Sequence, residues 1–326
     1  MKSPVLRVLL LLAGGCLAAS GHAASPDSYP EKPVHIIVPY PAGGSVDFLA
    51  RIIQAQLQQV WGRPVIIDNR GGASGTIGSV DVARASPDGY TLLWGNVQTH
   101  AMNAGAIKNL PYDPLKDFTP ITETTRANWI LVTNPRTGVK TPVQALAAMR
   151  SAPGKMTYAS SGNGSAAHLA FSMMTYKLGV QTTHVPYKGI MPGINDVLAS
   201  NVDFVMGDQS TLLPFIKAGR LVPIAMTGNA RSPLLPDLPT IAETLVPGFD
   251  VQAWQGIWGP AHMDPKLVER INAGFAQALS APAVVQRLSA SGVDAAPSSP
   301  QAFGAFIAAE YKKWVSAAQD AGIVPE

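Results

Sequence analysis

The feature that most constrains this chain is the regular hand-over from short strand-like runs to stretches of helical spacing, with glycine-rich turns at the junctions. In VHIIVPYPAGGSVDFLARII, residues 34–53, an apolar run passes through Pro-Ala-Gly-Gly-Ser into a helix predicted over 45–60. Leu49, Ile52, Ile53 and Val60 fall on one face of that helix, Ser45 stands where an N-cap is expected, and Gly62 follows the last turn. The same unit recurs as PVIIDN followed by 75–85, and as YTLLWGN followed by a segment near 98–107. Strands alternating with helices of this length predict an α/β protein with open, largely parallel sheets.

With 326 residues the chain is longer than the roughly 250 at which single cores tend to divide, so two domains are expected. The passage NLPYDPLKDFTPITETT, 109–125, reads as a turn-rich boundary, and a second α/β set opens at WILVTNP. That set contains KMTYASS with a helix over 165–178, a helix over 191–200, the strand VDFVMG, a helix near 211–218 and the strand LVPIAMTG. The expected division is therefore 24–125 plus 229–326 in one lobe and 126–228 in the other. The C-terminal helices predicted at 264–280, 282–291 and 300–320 lack a sheet of their own and are expected to pack on the first lobe. Trp254 and Trp258 in AWQGIWGP are read as packing residues.

Composition narrows the function classes. Apolar residues are 47% and charged residues 14% of the chain, and the formal charge of +3 comes without a Lys/Arg cluster, which argues against nucleic acid. Lys2 and Arg7 precede VLLLLAGGCLAA and the small residues Gly21 and Ala23, the pattern of a secretory signal peptide, residues 1–23, cut near Ala23 or Ala24. Without those two charges 22 basic residues face 21 acidic ones, so the exported protein is near neutral. Cys16, the single cysteine, lies inside the signal, which leaves no disulfide or thiolate metal site. AGGC is similar to a lipoprotein box but carries Ala13 where a larger aliphatic residue is usual. No other apolar run reaches the roughly 20 residues of a membrane span.

Three turns share one arrangement: PAGGS at 41–45, NRGGASGTIGS at 69–79 and SSGNGSAA at 160–167. Each lies between a predicted strand and a predicted helix, where ligands sit in open α/β sheets. Helix N-termini offer free N–H groups to an anion, and Ser45, Ser160, Ser161 and Ser165 can add hydroxyls. The alternative is that the glycines only make tight turns. A dinucleotide site is disfavoured, because GNGSAA has no acidic residue between Gly164 and Asp196 for the ribose; Gly154-Lys155 followed by Met156 is no phosphate loop. No cofactor is expected. Scattered histidines give no zinc spacing, so no metal is expected either. Ser165 and His168, three residues apart, leave an exported hydrolase open, although no G-x-S-x-G is present. HVPYKG at 184–189 either walls a cleft or ends a strand, and Asp208 either faces that cleft, receiving an ammonium group or a water, or caps the helix near 211.

Taken in order, YPEKPVHIIVPYPAGGSVDFLAR, VIIDNRGGASGTIGSVDVARASPDGYTLL, YDPLKDFTPIT, YASSGNGSAAHLA, HVPYKG and LPDLPTIAE resemble the periplasmic solute-binding receptors of the tripartite tricarboxylate transporter family, the Bug receptors, over nearly the whole exported chain. The resemblance implies a type II periplasmic-binding-protein fold, two α/β lobes hinged by crossing strands and closing on a small carboxylate. It implies no enzymatic activity, and as partners the membrane subunits of such a transporter or a membrane sensor. It places Tyr40, Ala42, Gly43, Gly44, Ser45 and Asp47 at the ligand from the first lobe, and Ser160, Ser161, Gly164 and Ser165 from the second. Asn96, His184, Tyr187 and Asp208 are further candidates. Two departures stand out: Asn201 where such sequences carry a turn glycine, and MGDQS around Asp208.

Overall fold

The computed structural model describes residues 28–320, 322, 323 and 325; the expected signal peptide, its cleavage site and Cys16 lie outside the described residues. The chain opens with β1 (Val34–Val38), α1 (Ser45–Trp61), β2 (Val65–Asn69), α2 (Thr76–Ala83) and β3 (Thr91–Asn96). A π-helical turn at Gln98–Met102 leads to α3 (Asn103–Ala106) and then to the 16-residue strand β4 (Phe118–Thr133). The second set comprises α4 (Pro142–Ser151), β5 (Thr157–Ser160), α5 (Ala166–Leu178), β6 (Thr183–Pro186), α6 (Ile190–Ala199), β7 (Phe204–Asp208), α7 (Gln209–Lys217) and β8 (Val222–Met226). The chain returns through α8 (Ile241–Thr244) and β9 (Gln252–Pro260) to α9 (Pro265–Leu279), α10 (Pro282–Ala290), β10 (Asp294–Ala295) and α11 (Pro300–Asp320).

The strands lie in the order β2-β1-β3-β9-β4-β7-β5-β6, with β8 and β10 paired to β4. β1 runs parallel to β2 and β3, and β5 parallel to β6 and β7, as the β-α alternation requires. α1 buries Leu49, Ile52, Ile53 and Leu57 along one stripe and ends at Gly62 in the left-handed conformation. Its N-cap is Gly44 rather than Ser45, which is the first helical residue and exposed. In the second set Ser200, φ 68°, takes the left-handed position expected of Asn201, whose side-chain amide instead donates to Asp196 Oδ1 at 3.2 Å.

Two further expectations are corrected. The passage 109–125 is not wholly turn: β4 starts at Phe118 and runs unbroken to Thr133, because Ile121 and the Thr122–Thr125 run are buried between neighbouring strands. Strand β9 was not expected at all, since AWQGIWGP lacks the alternation of a half-exposed strand; it is an interior strand with antiparallel neighbours β3 and β4, and nearly all of it is buried.

β4 belongs to both halves. Phe118–Asn128 pair with β9, whereas Trp129–Thr133 pair with β7, and Ile130–Thr133 with β8 on the other side. A single buried cluster crosses this junction, joining Leu93, Trp258, Phe303 and Trp314 to Leu131, Tyr158, Phe171 and Met206. Two indoles inside it share one acceptor: Trp254 and Trp314 both donate to Glu310 Oε2, at 2.8 and 3.1 Å. Each Leu, Phe or Met side chain of this cluster, fully buried, contributes about 1.5–3 kcal/mol. α11 packs on α3, β4 and α5, so the final helix spans both halves.

At the crossing point Thr227 ties β4 to the chain entering β9. Its N–H donates to Trp129 O at 3.0 Å, its carbonyl accepts from Val251 N at 2.9 Å, and its buried hydroxyl lies 2.6 Å from Val251 O while accepting from Trp129 N at 3.1 Å. Thr227→Val keeps the shape and leaves a buried N–H and carbonyl unpaired, each costing about 1–3 kcal/mol. The variant is expected to lose at least about 1 kcal/mol of stability, read as a lower urea midpoint with an unchanged slope.

Candidate functional site

The β1–α1 turn is held from behind and open in front. Asp47, buried in the first turn of α1, accepts from Gly43 N at 2.9 Å, from Arg51 Nε at 3.0 Å and from Asn69 Nδ2 at 3.0 Å. Burial alone pushes its carboxyl up, but the hydrogen bonds from Arg51, Gly43 and Asn69 outweigh that and hold it below the ordinary carboxylate range. Asn69 also donates to Tyr40 O at 3.1 Å, and the Tyr40 hydroxyl donates to Asn96 Oδ1 at 2.9 Å, so Tyr40 and Asn96 meet. Burial, against the opposing Asn96 hydrogen bond, drives the Tyr40 hydroxyl far up, keeping it a neutral donor. Ala42, Gly43, Gly44 and Ser45 remain exposed, and α1, a 17-residue helix, has no side chain capping its first N–H groups. Those amides and the positive end of the helix dipole are free for an anion.

The second glycine turn plays a different part. A side chain at Gly71 would strike Pro41, and one at Gly75, φ 84°, would meet Thr99 and the Tyr40 hydroxyl. These glycines let the β2–α2 connection back directly onto the first turn, the packing role of a glycine rather than a ligand-facing one.

In the other lobe, Ser160 is fully buried and works inside its own turn: its Oγ lies 3.0 Å from Gly162 O, accepts from Gly162 N at 3.1 Å, and lies 2.5 Å from His184 Nε2. His184 stacks on His168 with ring centroids 3.8 Å apart, and Gly164 N donates to His168 Nδ1 at 3.1 Å. Gly164 itself is buried against Ala106 at the end of α3. Ser165 caps α5 by accepting from His168 N at 3.4 Å. The hydrolase pair is thus not assembled: Ser165 meets the backbone of His168, and the ring of His168 faces Gly164. The contact between Ser160 and His184 is part-buried, with Ser160 itself fully enclosed. Tyr187 is turned to Asp196, its hydroxyl donating to Oδ2 at 2.5 Å. Burial, then that hydrogen bond, push the Tyr187 hydroxyl up to about 12.

Ser161 and Asp208 share a cavity of about 150 Å³ bounded by the N-terminal residues of α5 and α6, the end of β7 and Trp129 of β4. Trp129 Nε1 donates to Asp208 Oδ1 at 2.7 Å. Asp208 precedes α7 but makes no capping hydrogen bond with its side chain. Burial raises its carboxyl despite the Trp129 hydrogen bond. Trp129 was missing from the sequence candidates; the available signal was an indole, which needs an acceptor, at the start of an apolar strand. A larger cavity, about 620 Å³, lies by β10 and residues 229–234, where Arg126 and Arg231 are already paired with Glu123 and Glu243. Among the described residues, no hydrogen bond runs directly from the 40–47 turn to the 160–165 turn, and no group of three or more His, Cys, Asp or Glu side chains is placed to hold a metal.

Two α/β lobes joined by a shared strand, with strand-to-helix turns at the carboxyl ends of their parallel strands, define a type II periplasmic-binding protein. The comparisons agree: the family model described as "Tripartite tricarboxylate transporter family receptor" matches residues 49–323. The chain is 33% identical over 317 residues to Protein BugT of Bordetella pertussis, covering 96% of this chain and 97% of that one. Among solved structures it is similar to R. palustris Rpa4515 with adipate (TM-score 0.81, 33% identity, 91% of this chain and 100% of that one) and to MatC from Rhodopseudomonas palustris with bound malate (TM-score 0.76, 29% identity, 89% and 100%). The chain belongs to the tripartite tricarboxylate transporter receptor family, with Bug proteins among its relatives.

The stacked histidines give a pH prediction. Burial, and then the neighbouring His168, lower His184 from the ordinary value near 6.5 to about 4, and burial lowers His168 as well. Between those values the unfolded chain holds more protons than the folded one, so stability falls as pH drops from about 6.5 towards about 4. Urea midpoints measured across that window are expected to fall on acidification, and less steeply in His184→Asn.

Proposed function

We propose that this protein is a periplasmic receptor that captures a small carboxylate between its lobes and hands it to the membrane subunits of a tripartite tricarboxylate-type transporter. The lobe limits we propose are 24–125 with 229–326, and 126–228, with export by the N-terminal signal. The observation that carries the reading is the uncapped, exposed N-terminus of α1, flanked by Gly43, Gly44 and Ser45. The bound adipate and malate of its relatives support an anionic ligand of this class. No helix among the described residues is long and apolar enough to cross a membrane.

The candidate residues divide into those that touch the ligand and those that hold the loops. Gly44 and Ser45 supply backbone N–H groups from the first lobe, with Ala42 and Gly43 beside them, the Gly43 N–H being held by Asp47, and the Tyr40 and Asn96 pair behind. Ser161 and Ser165 supply hydroxyls from the second, where α5 adds its own first-turn amides. Asp47, Ser160, Gly164, His184 and Tyr187 act as braces, because their polar groups or their space are already taken. Neutral donors of this kind recognise a carboxylate without a fixed cation, and ordered water can complete the set. Closure of the lobes about β4 sequesters the solute, and ligand binding shifts the hinge equilibrium towards the closed form. On this reading the protein binds without chemistry, since the half-buried Ser165 meets the backbone N–H of His168 and has no ring nitrogen to activate it.

Gly44→Val tests this site directly. Gly44 has φ −76° and ψ 170°, open to any residue, and a Cβ there meets only Pro41 O at 3.6 Å. The fold is expected to survive with a loss of no more than about 1 kcal/mol from the altered N-cap. Carboxylate binding by calorimetry is expected to weaken at least about tenfold, as several backbone donors are screened together. Unchanged affinity removes the turn from the site.

A further inference from the structure

The cavity at Asp208 has a chemistry that the carboxylate alone does not use. Its walls are the apolar side chains of Ile190, Ile194, Met206 and Leu212, and Asp208 is the only charged residue among those lining it. One carboxylate oxygen, Oδ1, accepts from Trp129 Nε1; Oδ2 has no hydrogen-bond partner and Asp208 has no ion pair among the described residues. Asp208 is half-buried, and a carboxylate partly withdrawn from water without a cation carries a cost that a cation would relieve. On the opposite wall stand Ser161 and the first residues of α5, Ala166 and Ala167, whose end of the helix favours negative charge.

We propose that Asp208 receives an ammonium group, so that the ligand is an amino-carboxylic acid with a short aliphatic body. This rests on the carboxylate-receptor reading and adds the second polar group of the ligand. The space of about 150 Å³ equals the liquid volume of about five water molecules, which limits the part held there to about that many heavy atoms. Ile190 and Ile194 on α6 face that part with hydrocarbon, leaving Asp208 Oδ2 as the acceptor at its end.

A second carboxylate in the same place would have to share a proton with Asp208. Two features oppose that arrangement and favour the ionised form: the indole N–H donates to it, and the nine-residue helix α7 begins at the next residue with its positive end. Burial raises the carboxyl, so an ammonium beside it relieves the cost that burial imposes. The adipate and malate bound by two relatives have no ammonium group, so neither of those ligands would use Asp208 in the way proposed here.

Calorimetry near pH 7 on the exported wild-type chain and on Asp208→Asn, with a matched set of acids, tests the inference. The set is pentanoate, 2-aminopentanoate, 5-aminopentanoate and glutarate, equal in carbon number and differing in the group offered to Asp208. At least one aminated acid is expected to bind wild type about tenfold or more tighter than both pentanoate and glutarate, and Asp208→Asn to bring the ratio of aminated acid to pentanoate close to one. Asn keeps an acceptor for Trp129, and the wild-type comparison stands even if the variant does not fold. If pentanoate or glutarate binds as tightly as both aminated acids, or if the preference persists in Asp208→Asn, the ammonium proposal is overturned while the carboxylate reading survives. If none of the four acids binds wild type, this proposal fails, and the response to a wider carboxylate set then decides the receptor reading separately.

Discussion

One strand serving two sheets is the constraint on which this structure depends. β4 pairs with β9 along its first part, with β7 along its last five residues and with β8 along its last four, so neither half can be completed without it. Thr227 fastens the returning chain to the changeover residue Trp129 through both backbone and hydroxyl, while the indole of Trp129 reaches Asp208 at the end of β7. The same residue therefore belongs to the hinge and to the wall of the second-lobe cavity. The buried cluster that runs across the junction adds nondirectional cohesion.

The ligand-side turns follow a common economy of parts. Polar side chains such as Asp47, Ser160 and Tyr187 are consumed in fixing the loops, whereas the first amides of α1 carry no side-chain cap. A carboxylate can be held this way because a helix N-terminus concentrates partial positive charge without an ionised partner. Asp208 departs from that plan, and its position beside apolar walls gives this chain a charged end to its cavity.

Much of this was legible beforehand. The β-α alternation, the parallel pairing of β1 with β2 and β3, and the stripe of Leu49, Ile52 and Ile53 follow from local periodicity, which acts over a few residues. The two-lobed periplasmic-receptor class and its family followed from ordered motifs. Strand β9 and the first half of β4 were hidden, because a strand enclosed on both faces loses alternation and AWQGIWGP or TPITETT then reads as irregular chain. Asp47 and Tyr187 carried residue types suited to a ligand; only their distances to Gly43 and Asp196 reveal the loops they hold.

The sequence by itself determined the alternating strands and helices of the two α/β sets, the places where glycine permits tight turns and the small net charge. Tertiary structure alone decided which polar groups stay free. Hydrogen-bond capacity is a property of a residue type, but its availability depends on what lies within about 3 Å, and those neighbours come from positions far apart in the chain. Trp129 and Asp208, 79 residues apart, are the clearest instance: nothing in either neighbourhood foretells that one oxygen is taken and the other left open.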